Sequence, residues 1–401
     1  MNARSRRPRR SAVGLVLVLL ATAFLATEVA FRISDAMAGR DASFYLPQDL
    51  SSRMYDPHPY LGMVLRPGVS GGGKYKYHIN ALGMRGREIT REKPPGVYRI
   101  ACLGSSTTYG TGATSDEFTY PARLEMLLNK ISAAGGTDDG RIYEVLNCGV
   151  SGWNTADSLV NLELRILDLQ PDAVLAYDAA NDGRIIQARG FVSDYSHMRR
   201  PPPIVKLPAL EQFLLGHVRT YARLTHGTDP EKQFGGLAEW IFVDNYRALQ
   251  VPSTTWINEP GIQTLMRNLE SMVDVCRGRR IAIVLSTFAV KDTAGAEEGE
   301  FLGPYMQRAN DELRKLARRL GVPIVPAAEV LDNKRELYDD WIHFNDLGER
   351  RHAQVVTDLL VRQRLFGLNG RKLETTEESP AALGAADGAA DGAADGARPP
   401  R

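Results

Sequence analysis

The chain has 401 residues, with 49 Lys and Arg against 48 Asp and Glu, which leaves a formal net charge of +1. This balance gives no reason to expect nucleic acid as a partner. Hydrophobic residues make up 43% of the chain, enough for a sizeable core, and the three cysteines have neither the pairing of a disulfide framework nor metal-ligand spacing. We expect Cys102, Cys148 and Cys276 to be buried, as free cysteines usually are.

The amino terminus carries a basic segment followed by an apolar one. Five arginines lie between positions 4 and 10, and residues 12–27 are apolar or small throughout. This pattern predicts a cytoplasmic basic tip and a retained signal anchor within residues 1–40. A cleaved signal peptide, with Ala36-Met37-Ala38 as its processing site, is the alternative. Both interpretations place the rest of the chain outside the cytoplasm, on the periplasmic or cell-surface side.

The composition of residues 41–96 predicts irregular structure. Four prolines lie between positions 41 and 90, together with the run Gly71-Gly72-Gly73 and a short alternating piece at residues 75–79. We therefore expect a preamble with a hairpin that packs on the following domain, and Pro94-Pro95-Gly96 marks the boundary between them.

From residue 97 to residue 370, short apolar runs alternate with amphipathic segments. Strands are predicted at residues 97–103, 143–150, 173–177, 281–288 and 322–325, and helices at residues 118–131, 154–169, 313–320 and 347–361. This alternation predicts a parallel five-stranded sheet covered on both faces, the three-layer α/β/α class. At the start of the last helix, Asp346 and Glu349 resemble a capping box. His352, inside that helix, is expected to be structural.

A long interval separates the third predicted strand from the fourth. It is too long for a structureless loop, so we predict a largely helical insertion at about residues 184–278. Its amphipathic segment, residues 210–224, is expected to pack on its own domain, and the membrane surface is the alternative location. The tail, residues 371–401, is Glu-rich and then repeats Ala-Ala-Asp-Gly, which predicts disorder.

A hydroxyl-rich loop, Gly104-Ser105-Ser106-Thr107-Thr108, follows the first strand of the predicted sheet. Ligands bind at the carboxyl ends of parallel strands, so a serine placed there is near both substrate and free backbone N–H groups. Ser106 is therefore a candidate nucleophile, if a base and oxyanion donors lie nearby. Phosphate binding by the backbone is a second interpretation, weakened because the loop lacks the lysine of a P-loop.

Two histidines follow an aspartate at a spacing of three residues, in Asp194…His197 and in Asp340…His343. At this spacing one turn supplies both an imidazole and the carboxylate that orients it. The second pair follows the last strand, at the sheet edge that carries Ser106. We therefore assign His343 as the base and Asp340 as its orienting carboxylate, and we expect His197 to be a surface or cap residue.

Two other strand ends carry residues that can bind an oxyanion. Gly152 follows the second strand, and Asn181 follows the third. A glycine lets its backbone N–H approach a substrate closely, and an asparagine donates from its side-chain amide. Either residue alone is also typical of an ordinary turn.

Four blocks of the chain, at residues 103–110, 147–152, 180–182 and 340–343, together resemble those of the SGNH (GDSL-type) hydrolases. The resemblance implies Ser106 as nucleophile, His343 with Asp340 as the rest of a triad, and Gly152 and Asn181 as the oxyanion hole. It also implies a flavodoxin-like fold and ester hydrolysis or acyl transfer without a metal or another cofactor. The preamble resembles a segment found in membrane-anchored bacterial members of this family.

These observations predict a membrane-anchored serine esterase. Its substrate would be an acyl ester, such as an O-acetyl group on an envelope or exported glycan. An O-acyltransferase that uses the same acyl-enzyme is one alternative, because a sugar hydroxyl can replace water. A catalytically silent module that binds a glycan or an anion is another, since Ser105 replaces the family's usual Asp in the first block and the third block lacks its usual Gly.

Overall fold

The first element is a long apolar helix, α1 (Arg9–Met37). The computed structural model describes residues 9–38, 54–198, 208–226, 257–294 and 302–371. Within α1, the stretch Ala12–Met37 is long and apolar enough to cross a membrane, with a mean hydropathy of 2.2. Every large apolar side chain between Val13 and Leu25 is more than half exposed. The apolar segment of the sequence is thus one continuous helix, whereas the predicted disordered tail lies, beyond residue 371, outside the described residues.

Two small antiparallel hairpins follow α1. They pair β1 (Tyr55–His58) with β2 (Gly62–Leu65), and β3 (Ser70–Gly71) with β4 (Tyr77–His78). Their apolar side chains form a small core with Trp153, whose indole N–H donates to the carbonyl oxygen of Met63 at 3.0 Å. The hairpins therefore pack against the chain segment that contains Gly152 and Trp153.

Five of the apolar segments form one parallel sheet, as predicted. Its strands are β5 (Val97–Gly104), β6 (Ile142–Gly149), β7 (Ala173–Tyr177), β8 (Ala282–Ser286) and β9 (Ile324–Val325). The strand order is β6-β5-β7-β8-β9, so the chain leaves β5 for one neighbour and returns to the other side of it. In such a sheet, ligands bind at the carboxyl ends of the strands on either side of this switch.

Helices cover both faces of the sheet. The described helices after α1 are α2 (Ser106–Tyr109), α3 (Tyr120–Ala133), α4 (Thr155–Asn161), α5 (Ala180–Ile186), α6 (Ala209–His217), α7 (Arg219–His226), α8 (Glu259–Gly278), α9 (Leu302–Leu320), α10 (Ala327–Leu331) and α11 (Asp346–Arg362). On one face α3 packs against α11, and on the other α8 packs against α4 and α9. All five residues of β7 are buried, as expected for a strand covered on both sides.

Some element limits differ from the prediction. Helix α8 lies inside the predicted insertion, residues 184–278, yet its apolar face is buried against the sheet. The helix predicted at residues 154–169 leaves α-helical geometry after Asn161 and continues as a π turn, Leu162–Ile166, and a 3-10 turn, Leu167–Leu169. These differences reflect tertiary packing, which apolar spacing does not report.

The predicted capping box of the last helix is wrong. Asn345 caps α11, because its side-chain oxygen accepts from the N–H groups of the next turn. The Asp346 carboxylate instead accepts from the backbone N–H and hydroxyl of Thr114, at 2.8 and 2.6 Å. Glu349 accepts from the backbone N–H of Tyr120 at 2.7 Å. Both carboxylates therefore bind donors that are distant in the sequence, and neither caps the helix.

A buried ion pair crosses the first two strands of the sheet. The fully buried Arg99 donates from Nε to Glu144 Oε2 at 2.6 Å, and β5 and β6 are in register at these two residues. The same guanidinium donates to the carbonyl oxygens of Thr90, Arg91 and Leu169 at 2.6–3.0 Å. The side chain therefore ties the sheet both to the preamble and to the segment before β7.

Candidate active site

The loop after β5 turns sharply into the short helix α2. Gly104 permits this turn, since a Cβ there would lie 2.2 Å from Thr108 Oγ1 and 2.3 Å from the Tyr177 carbonyl oxygen. Ser106 is the first residue of α2 and is 7% exposed. The loop thus holds the Ser106 hydroxyl at the carboxyl end of β5.

The predicted base lies opposite this hydroxyl. We call residues 337–345 the Asp–His loop, which is closed by hydrogen bonds between Asn345 N and Leu337 O and between Asp339 N and His343 O. His343 Nε2 lies 2.7 Å from Ser106 Oγ. The structure therefore brings together two side chains that are 237 residues apart in the sequence.

The other imidazole nitrogen of His343 contacts Asp340. Nδ1 lies 2.6 Å from Asp340 Oδ2, while Oδ1 accepts from the backbone N–H groups of Ile342 and His343 at 2.9 and 2.8 Å. Partial burial raises the pKa of Asp340, but the hydrogen bonds from His343 and Ile342 outweigh it and hold this pKa below its usual value. An ionised Asp340 accepts from Nδ1–H and leaves Nε2 free to accept the Ser106 proton.

The two predicted oxyanion donors belong to segments that contact each other, because Asn181 is hydrogen-bonded to the residue after Gly152. Thr111 Oγ1 donates to the carbonyl oxygen of Ser106 and contacts the Ser151 hydroxyl, which brings the segment before Gly152 beside the serine. Gly152 has a φ of +86°, a conformation that favours glycine. Asn181, at the start of α5, donates one side-chain N–H to the carbonyl oxygen of Trp153 at 2.6 Å. An asparagine amide nitrogen carries two N–H groups, so it can donate to more than one acceptor.

The preamble also reaches the Asp–His loop. The Tyr75 hydroxyl donates to Asp339 Oδ2 at 2.5 Å, and Lys74 Nζ lies 3.3 Å from Asp339 Oδ1. Asp339 directly precedes Asp340, so these contacts hold the loop from its outer side. Sequence reasoning missed this support, because nothing local links a Gly-rich segment to a loop 264 residues later.

A buried acidic cluster lies behind Asn181. Asp182 Oδ1 accepts from the hydroxyls of Thr155 and Tyr195 at 2.5 and 2.6 Å, and burial raises the pKa of Asp182 to about 6. Asp178 Oδ2 accepts from Ser158 at 2.6 Å, and burial raises the pKa of Asp178 well above its usual value. These contacts hold the first turn of α5, and with it Asn181, against α4.

The other polar candidates have structural surroundings. His197 contacts the backbone of Ile185 and Val192, within the insertion. His352 is fully buried between aromatic rings, and its burial lowers its pKa to about 3, so it is neutral in the folded protein. The three cysteines are buried, as predicted, and none is in a disulfide.

Glu349 should make stability depend on pH. Its side chain is fully buried beside Tyr120, and burial raises the pKa of Glu349 from 4.5 to about 8. The stability that comes from its bound proton is therefore fully present below pH 4.5 and is lost as the pH rises through 8. The unfolding free energy of the unmodified chain should therefore fall by on the order of 2–4 kcal/mol between about pH 5 and pH 8 because of Glu349. Replacing Glu349 by Gln should remove this part of the pH dependence.

Denaturant titrations over that pH range measure this effect. Glu336 is exposed, so a Glu336→Gln variant serves as the matched control and should keep the pH slope of the unmodified chain. Equal slopes for Glu349→Gln and the unmodified chain would show that Glu349 titrates normally.

Comparison with known proteins identifies the family of this chain. A family model described as the GDSL-like lipase/acylhydrolase family matches residues 102–351, more than half of the chain. No curated protein matches the sequence. A lipase/acylhydrolase from Enterococcus faecalis is 16% identical, with a TM-score of 0.40, and the match covers 69% of this chain and 99% of that one.

Two further solved structures are similar to this chain. A GDSL-like lipase from Bacteroides thetaiotaomicron is 14% identical with a TM-score of 0.35, and the match covers 66% of this chain and 86% of that one. The acetyl xylan esterase AlAXEase is 15% identical with a TM-score of 0.37, and the match covers 65% of this chain and 98% of that one.

Proposed function

Because the chain belongs to the GDSL-like lipase/acylhydrolase family and is an ester hydrolase, we propose that it cleaves acyl esters with Ser106 as nucleophile, His343 as base and Asp340 as the orienting carboxylate. The observation that supports this assignment is the unbroken line of hydrogen bonds from Ser106 Oγ through both imidazole nitrogens to Asp340. Each contact has the length that proton transfer and imidazole orientation require.

The proposed reaction proceeds through an acyl-enzyme. His343 Nε2 takes the Ser106 proton while Oγ attacks the carbonyl carbon, and Asp340 stabilises the imidazolium that forms. His343 then gives the proton to the departing alcohol oxygen as the ester bond breaks. A water molecule, deprotonated by the same nitrogen, attacks the acyl-enzyme, and the Ser106 oxygen recovers its proton.

Three donors are proposed to bind the oxyanion, namely the backbone N–H groups of Ser106 and Gly152 and the side-chain amide of Asn181. Donors held rigidly before the reaction stabilise the developing charge without reorganising. The hydrogen bond from Asn181 to the Trp153 carbonyl oxygen supports this role, because it orients the amide.

Replacing Asn181 by Ala should lower kcat about 10²–10³-fold, with little change in KM, because the lost donor acts mainly on the charged transition state. Steady-state kinetics with p-nitrophenyl acetate measure both constants. Asn369 also donates to a backbone carbonyl, that of Gly135 at 3.0 Å, but lies outside the proposed site, so Asn369→Ala is the matched control. A loss confined to KM would remove Asn181 from the oxyanion hole.

We further propose that the substrate is an O-acyl group on an envelope or exported glycan. An exposed aromatic supports a sugar-bearing substrate, since Trp341 lies inside the Asp–His loop and is 38% exposed. Aromatic faces at a site mouth offer apolar area next to polar groups.

Product analysis separates hydrolysis from transfer. The full chain in detergent is incubated with p-nitrophenyl acetate, with and without a soluble oligosaccharide acceptor, and acetate and acetylated sugar are both measured. Release of acetate at the rate of p-nitrophenol supports the hydrolase. Formation of acetylated sugar in place of acetate would make the protein an acyltransferase, and failure of a fluorophosphonate probe to label Ser106 would leave only a binding role.

We also propose that α1 stays attached as a membrane anchor with the catalytic domain outside the cytoplasm. The support is the basic segment before the apolar stretch, residues 4–10, which favours a cytoplasmic amino terminus. The helix itself, at 29 residues, exceeds the length that the hydrocarbon core requires.

A further inference from the structure

Helix α1 carries two buried acidic side chains near its carboxyl end. Glu28 is 8% exposed and Asp35 is 1% exposed, whereas the helix surface around them is open. They are seven positions apart, which places both carboxylates on one face of the helix. An ionisable group in such a helix is costly unless it is paired, so its partners indicate what it is for.

Helix α7, within the insertion, supplies the partners of Glu28. The carboxylate accepts from the backbone N–H groups of Arg219 and Thr220 at 2.9 and 2.7 Å, and from the Thr220 hydroxyl at 3.0 Å. Arg32 Nε donates to the same carboxylate at 2.8 Å. Glu28 thus satisfies the free N–H groups at the start of α7, where a negative charge is also favoured.

Asp35, on α1, binds two arginines of α7. Arg219 Nε lies 3.2 Å from Asp35 Oδ2, and Arg223 is hydrogen-bonded to Asp35 Oδ1. The Arg223 guanidinium also lies over the ring of Phe31, 5.0 Å from its centroid. We call Glu28, Asp35, Arg219, Thr220 and Arg223 the anchor clamp. Its bonds exist only while α1 remains part of the chain.

The anchor clamp lies at the depth of a membrane surface. The sixteen residues from Ala12 to Thr27 span about 24 Å as a helix, and the hydrocarbon core is about 30 Å thick. Residues 28–35 therefore reach the boundary between hydrocarbon and water. Helix α6 is fixed at the same level, because Arg32 Nη2 donates to the carbonyl oxygen of its last residue, His217, at 2.6 Å.

Helix α6 exposes apolar side chains at this level. Leu210 is 69% exposed and Phe213 is 56% exposed, and they lie one turn apart on the same face. Large apolar side chains exposed beside an apolar membrane helix fit the interfacial region of a bilayer, where such side chains are inserted.

We infer that α6 is an interfacial helix whose Leu210–Phe213 face inserts into the bilayer, and that the anchor clamp holds it there. The partner of this face is lipid. The inference rests on the proposed anchoring of α1 and is independent of ester hydrolysis. It gives the insertion a role, because the catalytic domain is then connected to the membrane both through the preamble and through the insertion.

Fluorescence quenching in vesicles tests the inference. The full chain has only buried cysteines, so the variants Phe213→Cys, Leu20→Cys and Tyr60→Cys can each be labelled at one site with bimane and reconstituted into phosphatidylcholine–phosphatidylglycerol vesicles. Lipids with a nitroxide near the headgroup should quench the label at position 213 more than about twofold over that at position 60. A nitroxide near the chain ends should quench position 20 most.

The anchor clamp is tested with the same label. Asp35→Asn removes the charge between the two arginines and should lower the quenching at position 213, whereas Glu211→Gln, on α6 itself, should not. Quenching at position 213 equal to that at position 60 would overturn the inference, because the Leu210–Phe213 face would then not be in contact with lipid. Intact-mass analysis showing cleavage after Ala38 would also overturn it. Esterase activity of the same samples reports separately on the proposed function.

Discussion

Replacing Ser106 by alanine is expected to lower kcat/KM for p-nitrophenyl acetate by about 10⁴-fold or more, because the acyl-enzyme can no longer form. The fold should be unaffected, since the Ser106 hydroxyl hydrogen-bonds only to His343 among the described residues. Thermal unfolding of both proteins in the same detergent checks this. Initial rates with acetyl and longer p-nitrophenyl esters then measure the loss and show which acyl chain the site prefers.

The neighbouring serine provides the control. Ser105 is fully buried, and its hydroxyl has no hydrogen-bond partner among the described residues. A Ser105→Ala variant should therefore keep nearly all activity. Like Ser106→Ala, it removes one hydroxyl oxygen from this loop. Comparable losses in both variants would show that the loop's shape, rather than the Ser106 oxygen, carries the activity. Full activity in Ser106→Ala would remove the serine mechanism altogether.

Replacing Arg99 by methionine is expected to cost about 3–5 kcal/mol of unfolding free energy. The variant leaves the Glu144 carboxylate buried with a weakened set of partners, of which Arg87, 3.5 Å away, is half exposed. It also removes the donors of three backbone carbonyl oxygens. Denaturant titration of the full chain in a mild detergent, or the accompanying fall in Tm, measures the loss.

A surface pair separates burial from charge in this experiment. Arg319 and Glu270 form a bidentate pair at 2.7–2.8 Å, but Arg319 is 58% exposed. Arg319→Met should therefore cost less than about 1 kcal/mol. In the double variant Arg99→Met with Glu144→Leu, much of the loss should return, because no charge is then left buried alone. Equal costs at both sites would contradict the buried-charge account.

Local patterns in the sequence were enough to find most of the sheet. The strand at residues 173–177 was predicted with the limits that the structure shows. The first strand differs from its prediction by one residue at one end, and the second by one residue at each end. A strand that is buried on both faces is a short, continuous apolar run between turn residues, so its signal is contained in its own residues. The family resemblance had the same local basis and is confirmed by the family match over residues 102–351.

The sequence also selected Ser106 and the pair Asp340–His343. A serine directly after a buried strand is a local feature, as is an aspartate three residues before a histidine, and parallel strands bring their carboxyl ends to one edge. The structure then places Ser106 Oγ within 2.7 Å of His343 Nε2. The chain's class, its sheet and its candidate nucleophile and base could thus be read without coordinates.

Tertiary structure alone decided the partners of buried polar groups. Asp346 and Glu349 resemble a helix cap in sequence, yet they bind Thr114 and the backbone of Tyr120. In the sequence Glu28 only interrupts an apolar run, but in the structure it accepts a hydrogen bond from the backbone N–H at the start of a helix 191 residues away. A carboxylate accepts from whichever donors the fold brings near it. That choice depends on contacts between distant segments, which residue spacing does not record.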